Sequence, residues 1–216
     1  MKKVKNNIVL SVDLMDILKS YDLCEAICNY IDTIKIGYPL TLSEGLKSIE
    51  ILKENFDFTV ICDYKLADIP ATNEKIAKLS YDKGADYIIV HGFLGSDSVK
   101  ACLNVAKEYN KEIFLLSEMS HPGADTFLKS VSEEIIKMGL ELGIKNYVAP
   151  STKIDRLSKI RELVGEDSFI VSPGVGVQGG DPKETLKYAN ALIVGRSIYE
   201  APNPEIAIKN IINLIN

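Results

Sequence analysis

The chain has 216 residues, 46% of them hydrophobic, and sets 25 Lys and Arg against 30 Asp and Glu for a net charge of -5. That length and composition suffice for one sizeable core, so a single domain over residues 1–216 is expected. The acidic balance, with no basic stretch beyond the tip from Met1 to Lys5, argues against nucleic acid as a partner, and no apolar run reaches membrane-spanning length.

In chain order, Ile8 to Val12 is the first short β-branched run. Its apolar character is broken at once by Ser11 and Asp13, which argues against a signal peptide or membrane anchor. Cys24 and Cys28 fall on one helical stretch, where packing is the simpler role; with Cys62 and Cys102 they lack the density of a secreted disulfide scaffold. A reducing cytoplasm is the expected location. Thr33 to Ile36 is the second strand, and Ser43 is read as the N-cap of a helix that turns Leu46, Ile49 and Leu52 inward. Phe58 to Cys62 is the third strand, Tyr87 to Val90 the fourth and Ile113 to Leu116 the fifth. Leu128, Val131, Ile135, Met138 and Leu142 then form an apolar stripe at helical spacing. Tyr147 to Ala149, Phe169 to Val171 and Leu192 to Val194 complete eight strands, each followed by a helical pattern. Eight βα units without a linker or composition shift favour a closed (β/α)8 barrel, with an open doubly wound sheet as the alternative.

The C-terminal ends of barrel strands form the active face. Polar residues collect there: Asp13, Lys35, Asp63 with Lys65, His91, Ser117 to His121, Pro150 with Ser151, Pro173 to Gln178, and Gly195 with Arg196. Because strand side chains alternate, Asp63 and Lys65 are expected to point the same way and to join Asp13 and Lys35 in an array of alternating charge. At about 4 Å and an effective dielectric near 20, one such pair is worth roughly 4 kcal/mol, enough to keep a partly buried lysine protonated. Such an ammonium is a proton donor and a cationic clamp. The plainer alternative for Asp63, Lys65 and Asp68 is a salt bridge and a helix cap at an exposed loop.

The glycine-rich Ser172 to Gly180, followed one βα unit later by Gly195 and Arg196, is read as a phosphate site, because glycines let backbone N–H groups approach an anion and arginine adds a bidentate fork. In "EMSHPGA", Glu118 to Ala124, Ser120 offers a hydroxyl and backbone groups to the polar edge of a heterocycle. His91 and His121 receive no catalytic role. No metal-ligand spacing, Walker loop or Ser-His-Asp signature is evident.

"DYKLADIPATN" from Asp63 to Asn73 resembles the Asp-x-Lys-x-x-Asp signature of the orotidine 5'-phosphate decarboxylases. "SVDL" at Ser11, "DTIKIGYPL" at Asp32, "EMSHPGA", "SPGVGVQGG" and "VGRSIY" at Val194 match in the same order over nearly the whole chain, most like the short, archaeal-type members. The resemblance implies a cofactor-free and metal-free lyase that converts orotidine 5'-monophosphate to uridine 5'-monophosphate and carbon dioxide, the last step of pyrimidine synthesis. It implies a homodimer with shared active sites: Asp68, Ile69 and Thr72 would enter from the partner subunit. Asp13 and Lys35 would hold ribose hydroxyls, Asp63 and Lys65 would face the reacting carboxylate, and Lys65 would protonate C6. Ser120 would read the pyrimidine, and Gln178, Gly195 and Arg196 the phosphate, with Pro173 also against the substrate and Tyr199 assisting. A related metal-dependent branch, the hexulose-phosphate synthases and ketogulonate-phosphate decarboxylases, shares the Asp-x-Lys-x-x-Asp motif but carries a metal-binding glutamate where this chain has Lys35. That branch and a non-catalytic nucleotide-binding barrel are the alternatives.

Overall fold

A computed structural model describes residues 3–216; the first two residues of the basic tip lie outside the described residues. The strands are β1 Ile8–Val12, β2 Thr33–Gly37, β3 Thr59–Leu66, β4 Tyr87–His91, β5 Glu112–Leu116, β6 Asn146–Val148, β7 Phe169–Pro173 and β8 Ala191–Val194. They are parallel and close in sequence order. Closure is made where β8 pairs with β1, from Ile8↔Leu192 to Leu10↔Val194. The fold is therefore the (β/α)8 barrel, and the open sheet is excluded.

The outer layer holds α1 Ile17–Ile27, α2 Tyr38–Glu44, α3 Lys47–Asn55, α4 Pro70–Asp82, α5 Ser96–Glu108, α6 Leu128–Glu141, α7 Ile154–Val164, α8 Pro182–Leu186, α9 Arg196–Tyr199 and α10 Pro204–Ile215. None is long and apolar enough to cross a membrane among the described residues. Along each strand, alternate residues join two different cores. Ile8, Leu10, Ile34, Ile36, Val60 and Cys62 pack against the helices. Val9, Ile61, Ile89, Phe114, Val148, Val171 and Ile193 fill the barrel interior. Ser11, Lys35, Asp63 and His91 share the inward parity, so the pleat that builds the core also aims these polar groups at the barrel mouth.

Two helical expectations need correction. Ser43 lies inside α2, which starts earlier because Pro39 in its first turn suits a helix start; α3 begins at Lys47 with no side-chain cap at Leu46. Ile49 and Leu52 are buried as expected, with Leu46 packed against the core. On α6 the buried face is Ser132, Ile135, Ile136 and Gly139, whereas Val131 stays 40% exposed. The cause is close approach: a Cβ on Gly139 would come within 2.6 Å of Leu115 Cδ2, so the helix turns its small residues to the barrel and the stripe rotates. Met138 and Leu142 still pack at its edge.

Candidate active site

β1 to β3 deliver the charges. Strand register sets Ser11 beside Lys35 and Gly37 beside Asp63. The Asp63 carboxylate accepts from Lys65 Nζ at 2.8 Å on one oxygen and meets Lys35 Nζ at 3.0 Å on the other. Lys35 Nζ also lies 3.5 Å from Asp13 Oδ1. The second Asp13 oxygen accepts from Ser11 Oγ at 2.6 Å. A Cβ on Gly37 would stand 2.7 Å from Asp13 Oδ1, so glycine is what leaves room for that carboxylate.

Burial by itself would drive Lys35 toward its neutral form, but the carboxylates of Asp63 and Asp13 outweigh it and hold its pKa above the ordinary lysine value. Burial likewise opposes ionisation of Asp63, and the ammoniums of Lys35 and Lys65 reverse that, leaving its pKa below the usual carboxylate range. Lys35 and Asp63 thus each favour the charged form of the other.

Lys65 reaches Asp63 by a route that simple alternation does not describe. Its backbone is left-handed, at φ 45°, and the β3 to β4 register shifts between Cys62 and Leu66. β3 also runs to Leu66, past the expected end at Cys62, so the charged motif begins within the strand.

The array opens into a cavity of about 220 Å³. Ser120, Pro173, Gln178, Gly195, Arg196 and Tyr199 also line it, from the end of β7 and the segments after β5, β7 and β8. Ser120 Oγ donates to Gln178 Oε1 at 2.9 Å, joining the β5 and β7 loops. Ile89, Leu116, Val148 and Ile193 supply an apolar wall, which the sequence reading did not single out although their inward parity was the available signal. Ser11, Glu118 and Val175 are further lining residues that received no role from sequence.

Asp68, Ile69 and Thr72 stand outside the lining of this chain's cavity. Asp68 and Ile69 are exposed. Asp68 does not cap α4, whose N-cap is Ile69 without a side-chain bond. Its main-chain oxygen instead accepts from Ser98 Oγ at 2.7 Å and Asn73 Nδ2 at 3.2 Å, which fixes the loop that presents it. His91 is buried at the end of β4, edge-on to Phe93. Burial first, and the nearby Lys65 ammonium second, push its pKa down to about 4 against the opposing pull of Asp63. His121 is exposed, beyond the cavity lining.

Fold and site together define a barrel enzyme that presents a fixed Asp-Lys-Asp-Lys array at the C-terminal ends of its strands. The profile of the "Orotidine 5'-phosphate decarboxylase / HUMPS family" matches residues 6–211, and the chain belongs to that family. The chain is 61% identical to the orotidine 5'-phosphate decarboxylase of Methanosphaera stadtmanae over 212 residues, 98% of each chain. Its fold is similar to the crystal structure of orotidine 5'-monophosphate decarboxylase from Methanocaldococcus jannaschii complexed with the inhibitor BMP, with TM-score 0.92 and 42% identity over 97% of this chain and 98% of that one. The orotidine 5'-phosphate decarboxylase of Pyrococcus horikoshii superposes with TM-score 0.88 at 41% identity, over 96% of this chain and 98% of that one. The relatives are carboxy-lyases, and this chain is an enzyme of that kind.

Proposed function

We propose that the chain, acting as one domain in the cytoplasm, converts orotidine 5'-monophosphate to uridine 5'-monophosphate and carbon dioxide without metal or cofactor. The observation that carries this reading is Asp63 bridged between Lys35 and Lys65, because the reaction needs placed charge above all else. Breaking the bond from C6 to the carboxylate leaves an electron pair in the plane of the pyrimidine ring, orthogonal to its π system. Delocalisation cannot absorb it, so stabilisation must come from preorganised electrostatics.

In this reading the Lys65 ammonium faces C6, stabilises the developing negative charge and then gives its proton to that carbon. Asp63 sits beside the departing carboxylate, and the repulsion falls as carbon dioxide leaves. Lys35 and Asp13 hold the array in place and bind ribose hydroxyls, with Ser11 fixing the Asp13 carboxylate. Ile89, Leu116 and Val148 provide an apolar space suited to neutral carbon dioxide. Ser120 reads the pyrimidine edge. Gln178, Gly195 and Arg196 hold the phosphate with Pro173 and Tyr199 beside them, and that remote binding energy supports closure of the β7 loop.

Asp68, Ile69 and Thr72 serve the active site of a second copy in a homodimer. Their support is position: the α4 start carries Asp68 outward on an anchored loop, beside an Ile69 that is 65% exposed. Lys35 disfavours a metal-dependent sugar-phosphate lyase, since its ammonium already occupies the space between Asp13 and Asp63 where a metal would need ligands.

The test follows the absorbance loss of orotidine 5'-monophosphate in EDTA, for the native chain and Lys65→Ala. Turnover in chelator by the native chain, lost in the variant, supports the reading. A folded native enzyme that turns nothing over, or needs added metal, overturns it.

A further inference from the structure

The carboxylate of Glu118 is wholly buried, at 0% exposure, beside the cavity and two residues before Ser120. Arg156 Nε donates to its Oε2 at 2.9 Å. Its Oε1 makes no hydrogen bond and lies 3.6 Å from Lys153 Nζ. A buried carboxylate is retained only where opposite charge meets it, and loss of one partner leaves the other uncompensated.

Both cations stand at the start of α7, Lys153 as its N-cap residue and Arg156 in the first turn. Each also reaches the excursion that follows β5. Lys153 pairs with Asp125 of the 3₁₀ turn Pro122–Thr126, and Arg156 Nη1 lies 3.8 Å from Glu133 of α6. Just ahead of Lys153, Thr152 Oγ1 donates to the main-chain oxygen of Ser120 at 2.9 Å. The segments after β5 and β6 are therefore clasped around one carboxylate, with Ser120 inside the clasp.

We propose that Glu118 is a positioning residue for the substrate's base: its charge draws the start of α7 against the end of β5 and so holds Ser120 Oγ where it meets Gln178 and the pyrimidine edge. This rests on the assignment of Ser120 as the pyrimidine reader. A merely structural ion pair would alter stability without regard to Ser120. A positioning residue acts through it, so its effect must vanish when the Ser120 hydroxyl is gone.

The experiment is a double-mutant cycle of Glu118→Gln and Ser120→Ala, reading kcat and KM for orotidine 5'-monophosphate. Glu118→Gln keeps the shape and removes the charge; it is expected to lower kcat/KM about tenfold in the native background and less than twofold in the Ser120→Ala background. Arg156→Lys, which keeps the charge but loses the Nε bond, should show the same pattern at smaller size, and it carries the cycle if Glu118→Gln does not fold. Equal losses in both backgrounds, or no loss, with Ser120→Ala itself impaired, overturn the inference alone. Unchanged kcat/KM in Ser120→Ala overturns the Ser120 assignment and the inference with it.

Discussion

Lys65 holds its ammonium 2.8 Å from Asp63 Oδ1 while its own backbone sits in the left-handed region at φ 45°. For a residue with a Cβ that conformation costs of order 1–2 kcal/mol and persists only where its surroundings impose it. Here it falls within the register shift between Cys62 and Leu66, and the gain is that a residue two positions from Asp63 can return its side chain to that carboxylate. The strain predicts an ordering of variants. Lys65→Gly and Lys65→Ala both lose turnover, but Lys65→Gly should be more stable than Lys65→Ala by about 1 kcal/mol in urea unfolding, because only glycine takes this φ freely. Equal stability would mean that the backbone there carries no strain.

His91 predicts an acid weakness. Its folded pKa, about 4, is below that of an unfolded histidine near 6.5, so the folded state favours neutral imidazole. The contribution is fully present above the unfolded value, begins to be lost as the unfolded chain takes up protons, and falls until the folded pKa is passed. Unfolding free energy should therefore decline between pH 7 and 4, and His91→Gln should flatten that decline. The NMR signals of His91 in the native protein should stay those of the neutral ring at pH 6. The Asp63 and Lys35 shifts act outside this window. Asp63 is depressed and loses its contribution only at more acid pH, whereas Lys35 is raised and loses its own only as pH climbs past the lysine range.

Arg161 predicts stability without chemistry. It is buried, donating from Nε to Tyr188 O at 2.8 Å, from Nη1 to Gly165 O at 2.9 Å and Ser168 O at 2.8 Å, and from Nη2 to Asn190 Oδ1 at 2.7 Å. These bonds staple the entry to β7 to the entry to β8, at the end of the barrel remote from the cavity. Arg161→Met leaves several acceptors unpaired and should cost about 3 kcal/mol in chemical denaturation while kcat at 25 °C stays within twofold of native.

Most of the fold was legible because it repeats. β1 was found residue for residue, and inward parity carries Ser11, Lys35 and Asp63 to the barrel mouth by the same alternation that buries Val9 and Ile61. What eluded the sequence was non-periodic. The start of α3 depends on Pro39 capturing Ser43 into α2, and the face of α6 depends on how closely Gly139 lets Leu115 and Tyr147 approach. Alternation alone does not describe how Lys65 reaches Asp63, since no period-two pattern contains a left-handed residue. Asp68 shows the other limit: local spacing puts it next to Lys65, yet it is not among the residues that line the cavity of its own chain.

Arg196 predicts a loss confined to one end of the substrate. It lies on the cavity wall at the start of α9, beside Gly195. If it clamps phosphate, Arg196→Ala should lower kcat/KM for orotidine 5'-monophosphate by roughly a hundredfold or more, whereas the reactivity of phosphate-free orotidine should not change. Equal losses for both substrates would assign Arg196 to the fold of the β8 loop.

Asp68 predicts complementation between inactive chains. Asp68 is exposed, and its loop is anchored through Ser98 and Asn73. If each site takes Lys65 from one copy and Asp68 from the other, homodimers of Lys65→Ala and of Asp68→Ala are both inactive. A heterodimer then has one site lacking both groups and one with neither defect. Random re-association of an equal mixture gives half heterodimers, so activity should return to about a quarter of native per site. The measurement is turnover before and after dissociating and mixing the two variants. No recovery from a mixture shown to contain heterodimers would return Asp68 to the site of its own chain, by a movement of the α4 start toward the cavity.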